Sequence, residues 1–260
     1  MACRAHVGCG YTGSMPAEKI ATLASPHSLE MRERLIVALD TATAQAAREM
    51  VSGIGDAAGI YKVGLQLFTA EGPGLVSELV GSGRRLFLDL KLHDIPNTVS
   101  HAVKSAVGLG VHMLTVHAGA GSDVLRAAVD AAGPDLKILA VTVLTSLNDD
   151  DIHETGIPAS VSNQVLRLAS LAQEIGCAGV VTSPRETAHI RQILGQKLLI
   201  VNPGVRPAGA GKDDQERTAT PAEAIRAGAS HIVVGRPITK AQDPARAARE
   251  IVLEMQRASS

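Results

Sequence analysis

The chain has 260 residues, 45% of them hydrophobic and 20% charged, with a net charge of −1. That balance argues against a nucleic-acid binder with a basic face, and two Tyr, two Phe and no Trp leave too few rings for a base-stacking platform. No apolar run is long enough to span a bilayer, and Cys3, Cys9 and Cys177 make neither an even disulfide framework nor a C-x-x-C pair, which points to a reducing cytoplasm.

Residues 1–30 mix Gly, Ala, Pro, Ser and His with no sustained period of 2 or 3.6. No apolar segment follows Arg4, so a secretory signal is not expected. Met15 and Met31 are both possible starts, and the stretch reads as a flexible extension or a misassigned start. Residues 31–260 are taken as the single folded domain.

From Arg34 onward, short β-branched or Leu-rich runs alternate with amphipathic, Ala-rich stretches. The expected strands are Arg34–Asp40, Ile60–Gly64, Arg85–Lys91, Met113–Ala118, Lys137–Thr145, Ala178–Pro184, Lys197–Val205 and His231–Arg236. Helical patterns between them include Asn97–Leu109, Asp123–Ala132, Val161–Ile175 and Thr220–Ala227, with Pro244–Arg257 after the last strand. Gly110, Gly133, Gly176 and Gly228 stand where helices should stop. Eight βα units suggest an α/β fold of the (βα)8 TIM-barrel type, although a doubly wound open sheet shares the alternation. The polar residues separate the two. Asp40, Lys62, Asp89, Lys91, Thr145, Arg206 and Arg236 fall at or just beyond the C-terminal ends of six different strands. A barrel brings every strand end to one mouth, whereas an open sheet gathers its site near one switch point.

The third strand is the most informative segment. Its period of 2 puts Leu86, Leu88, Leu90 and Leu92 on one face and Phe87, Asp89 and Lys91 on the other. The leucines suit packing beneath outer helices, which turns Asp89 and Lys91 into the barrel, where an unpaired charge is costly. A structural ion pair or a charged solvent face is the plainer reading, but a barrel strand has no solvent face along its length. Lys62 alone would read as a snorkelling strand-end lysine. With Asp89, Lys91 and Asp94 it reads as part of an alternating Lys–Asp–Lys–Asp array, in which each carboxylate favours the charged form of its neighbours. A cationic lysine in a dry pocket can stabilise a developing carbanion and then protonate it.

Arg206 after strand 7 and Gly235-Arg236 at the end of strand 8 occupy the usual phosphate position of such barrels. Segment 207–220 reads as a lid over the mouth rather than a plain connection. Gly209, Gly211 and Lys212 fail the P-loop pattern, because Arg206 and Asp213 stand where Gly and Ser or Thr are required. His93 and His117 lie nearest the mouth but lack a partner at ligand spacing, so no metal site is expected.

Asp89-x-Lys91-x-x-Asp94-Ile95-Pro96-x-Thr98 resembles the signature of the orotidine 5′-phosphate decarboxylase family. The likeness extends from Arg34 to about Arg257 through Leu39-Asp40, Lys62-Val63-Gly64, Leu144-Thr145-Ser146, Asn202–Pro207, Asp214-Gln215-x-Arg217 and Val234–Pro237. Residues before Met31 have no counterpart in the family's core pattern. The resemblance implies decarboxylation of orotidine 5′-monophosphate to UMP and CO2 in pyrimidine biosynthesis, without a cofactor. Lys91, Asp89, Asp94 and Lys62 would be catalytic. Arg236, the Gly235 amide and Arg206 would hold phosphate, and Gln215 would tie the closing loop to phosphate and pyrimidine. Thr145 would lie near the base, Asp40 would bind a ribose hydroxyl, and Lys62 would link ribose to the array. The family's homodimer implies that Asp94, Ile95 and Thr98 reach a partner's site. The nearest rival is a magnesium-dependent sugar-phosphate decarboxylase or aldolase of the same superfamily, which lacks the Ile-Pro-x-Thr. A non-catalytic phosphate-binding barrel is the other alternative, and the length leaves no room for a fused phosphoribosyltransferase.

Overall fold

The computed structural model of the chain describes residues 30–208 and 219–259. The N-terminal extension and most of the expected lid, including Gln215, lie outside the described residues. The elements run β1 (Leu35–Ala38), α1 (Ala44–Ile54), β2 (Ile60–Gly64), α2 (Leu65–Gly81), β3 (Arg85–Leu92) and α3 (Pro96–Gly108). They continue as β4 (Met113–His117), α4 (Ser122–Ala132), β5 (Lys137–Val141), α5 (Asp149–Glu154), α6 (Val161–Ile175) and β6 (Gly179–Val181). The last are α7 (Pro184–Leu194), β7 (Leu199–Asn202), α8 (Pro221–Arg226), β8 (His231–Val234), α9 (Arg236–Thr239) and α10 (Pro244–Ser259). Each strand pairs in parallel with the next, and β8 closes on β1 at Leu35↔Ile232, giving a closed eight-stranded barrel. The open sheet is thereby excluded.

Alternation along the strands divides the apolar residues into two cores. Leu86 and Leu88 of β3 belong to the large outer core, with Val99, Val103 and Ala106 of α3. Phe87 belongs to the inner core, with Ile36, Ala38, Ile60, Met113, Leu139, Val141, Val181, Val201 and Val233. Gly179 of β6 marks where the barrel is tightest: a Cβ there would lie 2.5 Å from the Leu199 carbonyl oxygen and 2.9 Å from Leu139 Cδ2. Two of the expected helix stops show why glycine stands there, because Gly133 and Gly176 have φ of +62° and +90°.

Several expected strands run too long at their C-terminal ends. β5 stops at Val141 rather than Thr145, β7 at Asn202 rather than Val205, and β6 covers only Gly179–Val181. Most of the residues beyond line the mouth, among them Val143, Leu144, Thr145, Thr182 and Val205, and they leave the ladder to begin the loops. Segment 184–194, whose first residue was expected to end a strand, is helical: Ser183 caps it by accepting from the Arg185 N–H, and Pro184 takes the first turn.

The lower end of the barrel is polar. Arg34 donates to the carbonyls of Ala229 (2.7 Å) and Ser230 (3.0 Å). Arg85 and Lys137 both donate to His112 Nε2, at 2.7 and 3.1 Å, so that nitrogen is an acceptor and His112 is neutral. His231 begins β8 among these cations at 1% exposure. No helix among the described residues is long and apolar enough to cross a membrane.

Candidate active site

The opposite end opens into a cavity of about 260 Å³. Eight of the residues singled out from the sequence line it: Asp40, Lys62, Asp89, Lys91, Thr145, Arg206, Gly235 and Arg236. The barrel collects them because they stand at or just past the C-terminal ends of six strands, with Asp89 and Lys91 two apart on β3 and Gly235 and Arg236 adjacent after β8. Phe87, Val141, Val181 and Val233 form an apolar floor and wall beneath them.

The charged end is a chain of contacts. Lys91 Nζ lies 2.9 Å from Asp89 Oδ2, and Lys62 Nζ lies 3.6 Å from the same oxygen and 3.3 Å from Asp40 Oδ1. Asp89 Oδ1 accepts from the Thr115 hydroxyl at 3.0 Å. Burial pushes the Asp89 carboxyl up, but Lys62, Lys91 and the two hydrogen bonds outweigh it and hold the group below the usual carboxylate range. Asp89 is therefore an anion at neutral pH despite its burial, and its charge is compensated by two ammonium groups. Lys91 itself has φ of +51°, the only non-glycine residue in the left-handed region among the described residues. Such a conformation costs on the order of 1–2 kcal/mol and persists where its surroundings hold it.

Of the four expected members of the array, Lys62, Asp89 and Lys91 meet within one chain. Within one chain it runs Asp40–Lys62–Asp89–Lys91, and Asp94 stands apart from it. β3 ends at Leu92, and His93, Asp94 and Ile95 carry the chain outward to Pro96, the first residue of α3. The exposed Asp94 carboxylate accepts from the Ile95 N–H. Thr98 is also exposed and does not line the cavity. Neither Asp94 nor Thr98 reaches the site of its own chain.

The other end carries Arg206, Gly204 and Pro203 after β7, and Gly235, Arg236 and Pro237 after β8. Val205 bridges to Ala219, and the Arg206 N–H donates to the Ala219 carbonyl at 2.9 Å. The two ends of the expected lid are thus fastened side by side at the mouth.

Two contributors were not singled out from the sequence. Thr182 lines the cavity, and its buried hydroxyl has no hydrogen-bond partner among the described residues. Thr115 is wholly buried on β4 behind Asp89. A threonine in an apolar run is an ordinary strand residue, so composition gave no signal for either. His93 and His117 do meet, with ring centroids 5.5 Å apart. Burial, with His93 and Lys91 nearby, pushes the His117 imidazole below its ordinary range. Among the described residues no three His, Cys, Asp or Glu side chains gather into a metal-ligating group.

A closed parallel barrel with a lysine–carboxylate array facing arginines across one cavity defines an α/β-barrel enzyme for an anionic small molecule. Comparison with known proteins narrows this. The chain matches the model of the Orotidine 5′-phosphate decarboxylase / HUMPS family over residues 33–251, and it belongs to that family. Orotidine 5′-phosphate decarboxylase of Anaeromyxobacter dehalogenans is 52% identical over 219 residues, which cover 84% of this chain and 96% of that protein. The same-named protein of Rhodopseudomonas palustris is 50% identical over 228 residues, covering 87% and 96%. Among solved structures, orotidine 5′-phosphate decarboxylase from Lactobacillus acidophilus superposes with a TM-score of 0.78 at 39% identity, covering 86% of this chain and 99% of that one.

Proposed function

We propose that this chain decarboxylates orotidine 5′-monophosphate to UMP and CO2, the reaction named for its relatives at about half identity. One observation carries the reading: a buried Asp89 anion held between Lys91 and Lys62, in a cavity whose other side is lined by Arg206, Gly235 and Arg236. The arginines and the Gly235 amide suit the phosphate, and Thr145 and the apolar wall suit the pyrimidine. Asp40, beside Lys62, suits a ribose hydroxyl. Binding energy from the unreactive phosphate can then be used to order the charged end, with Gln215 joining from the segment between Arg206 and Ala219.

In the chemical step the bond from C6 to the carboxylate carbon breaks and its electron pair stays on C6. The Lys91 ammonium stabilises that carbanion and delivers a proton to it as CO2 leaves, then regains a proton from water. Asp89 holds Lys91 in place and lies on the side of the departing carboxylate. The reaction needs no cofactor on this reading.

The working enzyme is a homodimer in which Asp94 and Thr98 enter the partner's site. Supporting this, both are exposed and outside their own cavity, and the neighbouring Ile95 is 66% exposed, an unusual state for an isoleucine at a helix start. The working domain is residues 31–260, in the cytoplasm, with residues 1–30 dispensable; a chain begun at Met31 should keep full activity. The magnesium-dependent rival is disfavoured by Ile95-Pro96-Asn97-Thr98 and by the relatives' names.

The deciding experiment follows loss of the orotate absorbance in orotidine monophosphate incubated with the full chain plus EDTA. Turnover supports the reading. No turnover, or turnover only with added magnesium, would overturn it.

A further inference from the structure

Three residues of β3 stand where β4 has one. The strands pair at Leu88↔Leu114 and again at Leu92↔Val116, so Asp89, Leu90 and Lys91 face Thr115 alone. A bulge of this kind takes backbone donors out of the ladder, and each needs another partner when buried. The Lys91 N–H finds one in Thr115 Oγ1, at 2.8 Å. The hydrogen of that hydroxyl goes to Asp89 Oδ1, at 3.0 Å. Thr115 is 0% exposed, so water cannot substitute for either bond. A hydroxyl suits this place because one group must accept from an amide and donate to a carboxylate at once.

We propose that Thr115 is a positioning residue for the reaction, a clamp that sets Lys91 and Asp89 in their reactive geometry. The proposal rests on the decarboxylase reading of the site. Thr115 holds the Lys91 backbone in its left-handed conformation and fixes one oxygen of Asp89. The other oxygen is thereby turned toward the ammonium groups of Lys91 and Lys62. Without the hydroxyl, the Lys91 N–H and Asp89 Oδ1 lose their partners together. The bulge then relaxes and Lys91 Nζ moves from its place over the reacting carbon. The plainer alternative is that Thr115 merely fills space between Asp89 and the inner core, as a β-branched strand residue does.

Two substitutions separate these. Thr115→Val keeps the shape and removes the hydroxyl, while Thr115→Ser keeps the hydroxyl and removes the methyl. If the hydroxyl positions the site, Thr115→Val lowers kcat on the order of 10- to 100-fold, the loss expected from a misplacement near 1 Å. KM stays within about threefold, since phosphate binding is untouched. Thr115→Ser keeps kcat within about threefold of the parent chain. Exchange of the Lys91 amide hydrogen, followed by NMR, should quicken at least about tenfold in Thr115→Val relative to the Phe87 amide. A Thr115→Val chain with parental kcat, or a Thr115→Ser chain as slow as Thr115→Val, would overturn the proposal. Should Thr115→Val not fold, Thr115→Ser decides: parental kcat supports the clamp and a loss beyond about tenfold overturns it. If the parent chain itself does not turn over orotidine monophosphate, the decarboxylase reading fails separately. Lys91 amide exchange then still decides the clamp, and unchanged exchange in Thr115→Val overturns it.

Discussion

Acid should loosen this barrel from its lower end, through His231. The ring is 1% exposed, and burial, reinforced by Arg34, His112, Arg85 and Lys137, pushes its pKa from 6.5 to about 3. The unfolded chain therefore binds a proton at His231 as pH falls below 6.5, while the folded chain stays neutral there until about 3. A depressed histidine pKa contributes stability that is complete above the unfolded value and lost on acidification across that window. Each pH unit inside the window costs about 1.4 kcal/mol, so moving from pH 7 to pH 4.5 removes about 3 kcal/mol through His231. His112, held to about 4 by burial and by Lys137 and Arg85, acts in the same direction, with a share reduced by solvent screening. A loss of about 3 kcal/mol is a large fraction of the roughly 5–15 kcal/mol that stabilises a domain. The test is urea unfolding followed by circular dichroism at pH 7.0, 5.5 and 4.5, for the parent chain and His231→Leu. Whatever the variant's stability at pH 7, its loss between pH 7 and 4.5 should be about 3 kcal/mol smaller than the parent's. Parallel losses would refute the placement of an uncharged His231 among those cations.

Four further outcomes follow from the same geometry. Lys91→Ala should abolish turnover of orotidine monophosphate, and mixing Lys91→Ala with Asp94→Ala subunits should restore part of it; mixtures that stay inactive would count against shared sites. Arg236→Ala should raise KM for orotidine monophosphate at least about tenfold while leaving the slow turnover of phosphate-free orotidine unchanged, read from steady-state rates on both substrates. Gly179→Ala should destabilise the barrel by about 1–3 kcal/mol in urea unfolding, because the added Cβ meets backbone at Leu199. Cys177 should stay unmodified by a thiol reagent at pH 8 until the chain unfolds, read by mass spectrometry, since burial pushes its thiol up to about 11.

Much of this molecule was legible in one dimension. β2 (Ile60–Gly64) and α6 (Val161–Ile175) match their expected bounds, and Asp89 and Lys91 face inward as a period of 2 requires. Helices α1, α2, α5, α7 and α9 were not among the patterns singled out. α2 is interrupted at Gly72, where φ is +68° ahead of Pro73, and α9 is a single turn of four residues. α5, with six residues, is likewise too short to announce a helical period, whereas α1 and α7, each of 11 residues, are long enough to carry one.

Alternation, charge at strand ends and the third-strand motif determined the barrel, its mouth and the residues gathered there, because these depend on spacing along the chain. Asp94 is the case that spacing leaves open: it follows Lys91 by three residues, yet the turn out of β3 carries it outside the cavity of its own chain, so its place depends on how two chains meet. Tertiary structure alone decided which strand residue stands opposite which. Thr115 meets Lys91 and Asp89 only because the β3–β4 register breaks after Leu88, and register is set by closure of all eight strands together. Likewise the scarcity of aromatic residues excludes a stacking platform but not a nucleotide ligand, since the apolar lining combines a single aromatic residue, Phe87, with valines brought together from four strands or their ends.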